Sequence, residues 1–162
     1  MVISTIYSLY TLFIIKNAGR LLYAHQDDWV HVNCALWSAE VYEELTGALQ
    51  NVHTAVGRGR QLRCEYCTKH GATVGCCTRG CSANYHFVCA KLSHCVFQQD
   101  KKVYCASHAS HAVGELVHGA KFCVNRRVCV NNDKVKFNKK TWNRGLDPSV
   151  MNMVIGESFA NL

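Results

Sequence analysis

The sequence predicts a small α+β fold with short helices and strands and little regular structure. Two observations lead to this prediction. Eight cysteine and histidine residues are arranged in four close pairs between residues 64 and 108. The segment that carries them is too short to fold on apolar burial alone, so it needs a further source of stability.

The eight residues have the spacing of metal ligands. They are Cys64, Cys67, Cys76, Cys81, His86, Cys89, Cys105 and His108. The two side chains of each pair can reach one ion, and a tetrahedral Zn²⁺ takes four such ligands. We therefore predict two zinc ions, each in a closed structural site that makes the fold zinc-stabilised.

A secreted disulfide scaffold is the alternative for a short chain with 11 cysteines. An odd number of cysteines leaves at least one unpaired in any all-disulfide scheme. Disulfides also leave unexplained why His86 and His108 occupy ligand positions. We favour zinc, which requires reduced thiols and therefore a cytosolic or nuclear protein.

The order of the pairs favours an interleaved cross-brace. The first and third pairs would hold one zinc, and the second and fourth pairs the other; a sequential pairing is the alternative. The predicted sets are Cys64, Cys67, His86 and Cys89 for the first zinc, and Cys76, Cys81, Cys105 and His108 for the second. Cys77 could replace Cys76, but the x4 spacing to Cys81 favours Cys76. Cys77 and Cys95 are then small thiols in the core or on the surface.

An earlier His-x2-Cys pair repeats the pattern of the third pair. His31 and Cys34 are followed by alanine and preceded by an aromatic residue, as are His86 and Cys89. Residues three apart share one face of a helix, so each pair could bind one ion. The partner Cys-x2-Cys should lie upstream, yet residues 1–30 contain no cysteine. We therefore expect half of a third site without its metal, with both side chains buried beside Trp29 and Trp37.

The predicted zinc sites argue against catalysis by this chain. A catalytic zinc keeps an open position for water, whereas four protein ligands fill each site here. The thiolates that could act as nucleophiles are already bound to metal. We expect a binding module rather than an enzyme, with no small-molecule substrate.

The net charge is basic and permits contact with DNA or acidic proteins. The formal value of +7 becomes about +5 once six thiolates and two Zn²⁺ are counted. The first set of candidate phosphate contacts is Arg58, Arg60, Arg63 and Lys69, where Gly57 and Gly59 could let the backbone approach DNA. A second set lies closer to the C-terminus and consists of Lys134, Lys136, Lys139, Lys140 and Arg144. Such contacts give affinity without sequence specificity. A solvated loop is the competing interpretation of the first set.

The composition divides the chain into three segments. Residues 1–16 are apolar but too short to span a bilayer, and they lack the features of a signal peptide. We interpret them as a short apolar helix or an alternative first exon, and expect no membrane contact. Residues 17–108 form the cysteine-rich segment, and 109–162 a weakly structured extension. Short strands are predicted at 122–124, 128–130 and 135–137, and a turn at 145–148.

The ligand order, with the upstream His-x2-Cys, resembles an extended PHD finger rather than a RING. Several stretches are similar to the trithorax/mixed-lineage-leukaemia group of histone H3 lysine-4 methyltransferases. They include AGRLLY (18–23), HVNCALWSAEV (31–41), QLRCEYC (61–67), NYHFVCA (84–90) and KKVYC (101–105). The tail GLDPSVMNMVIGE (145–157) is similar to the start of that group's FYRN domain.

This resemblance implies a nuclear chromatin regulator in which the finger is a non-catalytic interaction module. The family's SET domain and most of its FYRN region are not among these residues, so the chain resembles a fragment. The expected partners are a histone or a co-regulator, with the DNA backbone as a further candidate. A RING-like ubiquitin ligase is the enzymatic alternative. Methyl-lysine reading is not favoured, because Val103 stands where reader fingers commonly carry a cage tryptophan.

Overall fold

The computed structural model describes residues 17–25 and 28–132. The predicted apolar segment 1–16, the strand at 135–137, the turn at 145–148 and the second basic set lie outside this range. Within it, the elements are short, as predicted for a small α+β fold.

The N-terminal part is a hairpin followed by a short helix. Strands β1 (Leu21–His25) and β2 (Asp28–His31) are antiparallel, with Leu22 opposite Val30. Helix α1 (Val32–Leu36) begins directly after His31. It buries Val32 together with Ala35 and Leu36, which follow three and four residues later on the same face of the helix.

The next elements are two strands, which later gain a third, and the longest helix among the described residues. Strand β3 (Tyr42–Glu43) pairs antiparallel with β4 (Ala48–Gln50), and helix α2 covers Val52–Gln61. Two glycines make this helix intrinsically weak, since each costs about 1 kcal/mol relative to alanine. Its buried residues Val52, Ala55 and Gly59 stabilise it through tertiary packing instead. The solvated loop, the competing interpretation of the first basic set, is therefore wrong for Arg58 and Arg60, which lie in this helix.

The cysteine-rich part consists of two hairpins, a helix and two 3₁₀ helices. The first hairpin pairs β5 (Val74–Gly75) with β6 (Asn84–Tyr85), and the second pairs β7 (Val96–Phe97) with β8 (Val103–Tyr104). Helix α3 (Phe87–Leu92) lies between them in sequence. The 3₁₀ helices cover Ala106–His111 and Gly119–Phe122.

Two apolar cores lie beside each other, and Cys34 and Trp37 pack against both. The first contains an aromatic cluster of Trp37, Phe87, Phe97 and Phe122, whose rings meet edge to face at centroid distances of 4.9–5.7 Å. The second is aliphatic and includes Val32, Leu49, Val52 and Val128. Edge-to-face pairs of this kind add stability beyond the apolar area they bury.

Residues 109–132 are part of this folded body. Residues 122–124 were predicted as a strand, but Phe122 ends a 3₁₀ helix and its ring enters the aromatic cluster. Strand β9 (Cys129–Val130) lies within the predicted strand at 128–130, yet it pairs parallel with β4. The strand predicted at 122–124 is therefore wrong, whereas the one at 128–130 is confirmed and completes an existing sheet. The predicted division at residue 108 stays a prediction.

None of the helices in the described part of the chain has the length and apolar character needed to cross a membrane.

Candidate metal centres

The first cluster joins the first and third ligand pairs. Its members are Cys64, Cys67, His86 and Cys89, whose ligand atoms lie within 4.8 Å of one another. His86 Nδ1 is 3.3 Å from Cys67 Sγ and 3.7 Å from Cys89 Sγ. Helix α3 supplies the third pair: His86 immediately precedes it and Cys89 lies in its first turn. The sequence spacing of three therefore points both ligand atoms at one centre.

The second cluster joins the second and fourth pairs. Cys76, Cys81, Cys105 and His108 again have ligand atoms within 4.8 Å of one another. His108 Nδ1 is 3.2 Å from Cys105 Sγ and 3.7 Å from Cys76 Sγ. Hairpin β5–β6 carries the cysteine pair between its strands, and the 3₁₀ helix at Ala106–His111 carries the histidine. The order of pairs in the two clusters is that of a cross-brace.

Both clusters have the dimensions of a tetrahedral zinc site. Zinc–sulfur bonds of 2.3 Å and zinc–nitrogen bonds of 2.0 Å put ligand atoms roughly 3.5–3.8 Å apart. Cys105 Sγ and His108 Nδ1 lie 3.2 Å apart, the sulfurs of Cys81 and Cys105 lie 4.0 Å apart, and all ligand atoms of a cluster are within 4.8 Å of one another. Soft thiolates with imidazole nitrogen are also the donors that zinc prefers. The clusters therefore fit two zinc ions.

The electrostatics of the thiols supports a bound cation. Burial opposes ionisation of Cys76, but hydrogen bonds from the backbone N–H groups of Cys105 and Thr78 outweigh it and lower its pKa to about 6. Burial, reinforced by the charge of Cys64, raises the pKa of Cys89. Several thiolates cannot share such a space without a positive ion, and Zn²⁺ supplies that charge.

His86 is held by a second hydrogen bond outside the cluster. Its Nδ1 faces the cysteine sulfurs, so Nε2 carries the proton and donates to the backbone oxygen of His70 at 2.9 Å. This contact fixes the ring orientation for metal binding. Gly71 follows at φ +106°, and a Cβ there would meet His86 Nε2 at 3.1 Å. Gly71 thus lets the carbonyl approach the imidazole.

Replacing Gly71 by alanine is expected to weaken zinc binding. The substitution strains the backbone and pushes on the His86 ring, and loss of such outer contacts typically costs 10- to 100-fold in metal affinity. Competition with a chromogenic chelator would measure the affinity. Gly57→Ala is the matched control, because a Cβ at Gly57 meets nothing within 4 Å. Equal zinc affinity in the two variants would contradict this role for Gly71.

The earlier His-x2-Cys pair repeats the geometry of the third pair without completing a cluster. His31 precedes α1 and Cys34 lies within it, as His86 and Cys89 do in α3. Burial raises the pKa of Cys34 to about 11 and lowers the pKa of His31. Within residues 17–25 and 28–132, they join no group of three or more metal-binding side chains. The half site remains a prediction.

The tryptophans near this pair have different environments. Trp37 packs on Phe97 and Phe122, as expected for a core residue. Trp29 is 57% exposed and meets only the edge of Tyr23 among the ring contacts of the described residues. Val103, at the position of a reader tryptophan, is 2% exposed and belongs to the first core. This position therefore offers no aromatic wall for a methylated lysine.

The predicted nucleic-acid residues are not equally available. Arg58 turns into the protein and donates to both carboxylate oxygens of Glu40, at 2.5 and 2.9 Å, and to the Thr73 carbonyl at 2.7 Å. Burial alone would raise the pKa of Glu40, but these hydrogen bonds and the charge of Arg58 hold it below its usual range. Arg58 is thus paired within the protein, which leaves it less available to a phosphate; its role as a phosphate contact stays a prediction.

The other three basic residues lie on the surface. Arg60 forms an ion pair with Asp28 and keeps most of its side chain exposed. Arg63 donates to the Thr68 carbonyl at 3.2 Å, and Lys69 is exposed. Their role in binding stays a prediction.

Replacing Arg58 by methionine is expected to destabilise the fold by about 1–3 kcal/mol, because a partly buried carboxylate loses its charged partner. Urea unfolding in excess zinc would measure the change. Lys69→Met removes an exposed charge, so we expect it to stay within about 0.5 kcal/mol of the unmodified chain. Similar effects of the two substitutions would show that the Arg58 contacts contribute little.

The sequence did not indicate the residues that contact the second cluster without belonging to it. His111 packs beside His108 at a ring-centroid distance of 5.3 Å, and its Nδ1 lies 3.1 Å from the Thr78 hydroxyl. His111 and Thr78 lie within three residues of proposed ligands in the sequence, and this proximity is the only feature of the sequence that could have indicated them. Glu40 gave no signal, because its partner lies 18 residues away in a helix the sequence did not predict.

Comparison with known proteins is consistent with this geometry. The family model described as a PHD-like zinc-binding domain matches residues 31–109. Human histone-lysine N-methyltransferase 2B is 54% identical over 142 residues, which cover 87% of this chain and 5% of that protein. Drosophila melanogaster histone-lysine N-methyltransferase trithorax is 48% identical over 123 residues, covering 72% and 3%. Human histone-lysine N-methyltransferase 2D is 44% identical over 118 residues, covering 73% and 2%. The chain therefore spans only a small part of these relatives.

Proposed function

Because the chain belongs to the PHD-like zinc-binding domain family and corresponds to a segment of trithorax-type histone-lysine N-methyltransferases, we propose that it is a chromatin-interaction module. It would bind another protein, either a histone or a co-regulator. The two-zinc prediction and the resemblance are confirmed by the clusters and the match. The activity of the whole relatives is not assigned to this segment. Its proposed location is the nucleus.

The observation that carries this proposal is the closed coordination of both clusters. Four protein side chains surround each centre: Cys64, Cys67, His86 and Cys89 in one, and Cys76, Cys81, Cys105 and His108 in the other. We propose these eight residues as the zinc ligands. Four ligands leave no position for a reacting water, so the zincs act as scaffold and the binding surface lies on the residues they hold in place.

Contact with the DNA backbone is the second candidate. The exposed side chains of Arg60, Arg63 and Lys69 support it, whereas the inward orientation of Arg58 weakens it. Such binding would depend steeply on salt and be blind to sequence. The family match gives no support to a RING-like ubiquitin ligase.

Titration of the zinc-loaded chain separates these functions. Fluorescence anisotropy with histone-tail peptides, reconstituted nucleosomes and free duplex DNA, at 50 to 200 mM salt, would measure each affinity. We expect binding to a histone peptide or nucleosome that persists at the higher salt. Steeply salt-dependent binding to free DNA, lost in Arg63→Gln and without peptide binding, would favour the DNA function instead. Autoubiquitination with a panel of conjugating enzymes would overturn both.

A further inference from the structure

A groove outside the two metal clusters has the features of a peptide-binding site. It has a volume of about 650 Å³, and none of the eight proposed zinc ligands lines it. Its apolar lining consists of Leu36 and Trp37 at the end of α1, Tyr42 of β3, and Val117 and Val124 on either side of the second 3₁₀ helix. Leu36 and Val117 are buried, whereas Trp37 is only half-buried and contributes to the groove surface. The floor is thus able to receive an apolar side chain.

The rim of the groove is predominantly basic. Lys101, Lys121 and Arg126 line it together with a single carboxylate, that of Glu43. Arg126 is already paired, because its guanidinium donates to both oxygens of Glu43, at 2.8 and 2.5 Å. The two lysines therefore carry the charge that a partner would meet.

Lys101 lacks a carboxylate partner. It lies in the turn between β7 and β8 with a left-handed φ of +68°, and its Nζ donates to the backbone oxygen of Val41 at 2.5 Å. No carboxylate of the described residues lies within ion-pair distance of it. Burial lowers the pKa of this ammonium, although the charge of Glu43 opposes the shift. A half-buried cation with only a carbonyl acceptor would be stabilised by an added anion.

Lys121 has a partner that can be exchanged. Its Nζ lies 2.6 Å from Glu115 Oε1, and both side chains are more than half exposed. Exposed ion pairs of this kind contribute only about 0–1 kcal/mol. A carboxylate of a bound partner could therefore replace Glu115 at little cost.

We infer that this groove binds an acidic peptide segment of a partner protein, with an apolar side chain packed against Trp37 and carboxylates paired with Lys101 and Lys121. The inference rests on the proposed function and narrows its partner to a co-regulator with an acidic segment, because a basic histone tail would be repelled by this rim. An apolar side chain flanked by carboxylates suits a concave floor between two cations. The DNA backbone presents phosphates without an apolar group, so it would leave the floor unfilled.

The test uses the zinc-loaded full chain and a synthetic 12-residue peptide in which Asp and Glu alternate with Leu and Phe. In ¹H–¹⁵N NMR spectra, we expect the Trp37 indole and the Lys101 and Val117 amide signals to shift on titration. Trp37→Phe assigns the indole signal. Lys121→Glu should weaken binding by about tenfold or more, since it replaces an attraction by a repulsion.

Lys102→Glu is the matched control. Lys102 is also an exposed lysine with a carboxylate at 2.6 Å, that of Asp100, but it does not line the groove. We expect the affinity of this variant for the peptide to stay within about twofold of the unmodified chain, because Lys102 lies outside the groove and would not meet the bound peptide. Equal weakening by the two substitutions would overturn the groove, as it would show a response to net charge alone.

Three further outcomes are decisive. Unmoved Trp37 and Lys101 signals at millimolar peptide would overturn the inference. Displacement of the peptide by duplex DNA, with the same signals shifting, would overturn it in favour of a backbone site. Histone or nucleosome binding that is unchanged in Lys121→Glu, with no response to the acidic peptide, would leave the proposed function standing and overturn the groove.

Discussion

Replacing Cys64 by serine is expected to unfold the body of the chain and to release zinc. Cys64 is 1% exposed and is both a member of the first cluster and part of the first apolar core. In zinc-finger peptides, a structural zinc site contributes an apparent free energy of about 10–16 kcal/mol to folding. The whole stability of a domain is only about 5–15 kcal/mol, so the loss of one site removes most or all of it.

The interleaved order of the pairs should make this loss cooperative. Residues 76 and 81 of the second cluster lie between the two pairs of the first cluster in the chain. When the first site opens, hairpin β5–β6 is no longer fixed relative to α3, and the second site loses its geometry as well. Plasma emission spectroscopy after gel filtration would give the zinc stoichiometry, and circular dichroism and NMR dispersion the folded fraction.

Cys77→Ser is the control for this experiment. Cys77 is exposed, adjoins a proposed ligand and belongs to neither cluster. We expect it to retain two zinc ions and native NMR dispersion. Full zinc loading of Cys64→Ser, or zinc loss in Cys77→Ser, would contradict the ligand assignment.

Replacing Phe122 by alanine is expected to lower the free energy of unfolding by about 3–5 kcal/mol, the usual range for a buried aromatic side chain. Phe122 is 8% exposed and meets the rings of Trp37, Phe87 and Phe97. The ammonium of Lys91 lies over its ring at 5.0 Å. The substitution removes these contacts and leaves a cavity between α1 and α3. Urea unfolding in excess zinc, followed by Trp fluorescence, would measure it.

Val113→Ala provides the comparison within the same segment. Val113 is 94% exposed, so its truncation should change the stability by no more than about 0.5 kcal/mol. If Phe122→Ala were as stable as Val113→Ala, the segment after residue 112 would not contribute to the core.

The metal centres could be predicted from the sequence because ligand spacing is a local property. A Cys-x2-Cys or His-x2-Cys pair fixes its own geometry within one turn, and the order of four pairs selects the cross-brace. The geometry of each ligand pair between Cys64 and His108 therefore depends on only a few neighbouring residues. The same locality placed His31 and Cys34 correctly at the start of a helix equivalent to α3.

The errors arise where distant residues decide the local conformation. A solvated loop is the competing interpretation for the basic residues around Gly57 and Gly59. Burial of Ala55 and Gly59 instead stabilises a helix, and Arg58 on that helix pairs with Glu40. Residues 122–124 show strand propensity, yet Phe122 ends a 3₁₀ helix because its ring packs against Trp37, Phe87 and Phe97. Propensity is a weak guide wherever tertiary packing opposes it.

The parallel pairing of β4 with β9 has a consequence for how the protein folds as it is synthesised. All eight proposed ligands have left the ribosome once residue 108 has emerged, whereas Leu49 gains its neighbour only after Val130. Contacts between segments 80 residues apart form slowly, because a long loop must close first. We expect the zinc sites to fill first, before β9 can pair with β4. For that interval, metal supply rather than apolar burial would determine whether the nascent chain survives.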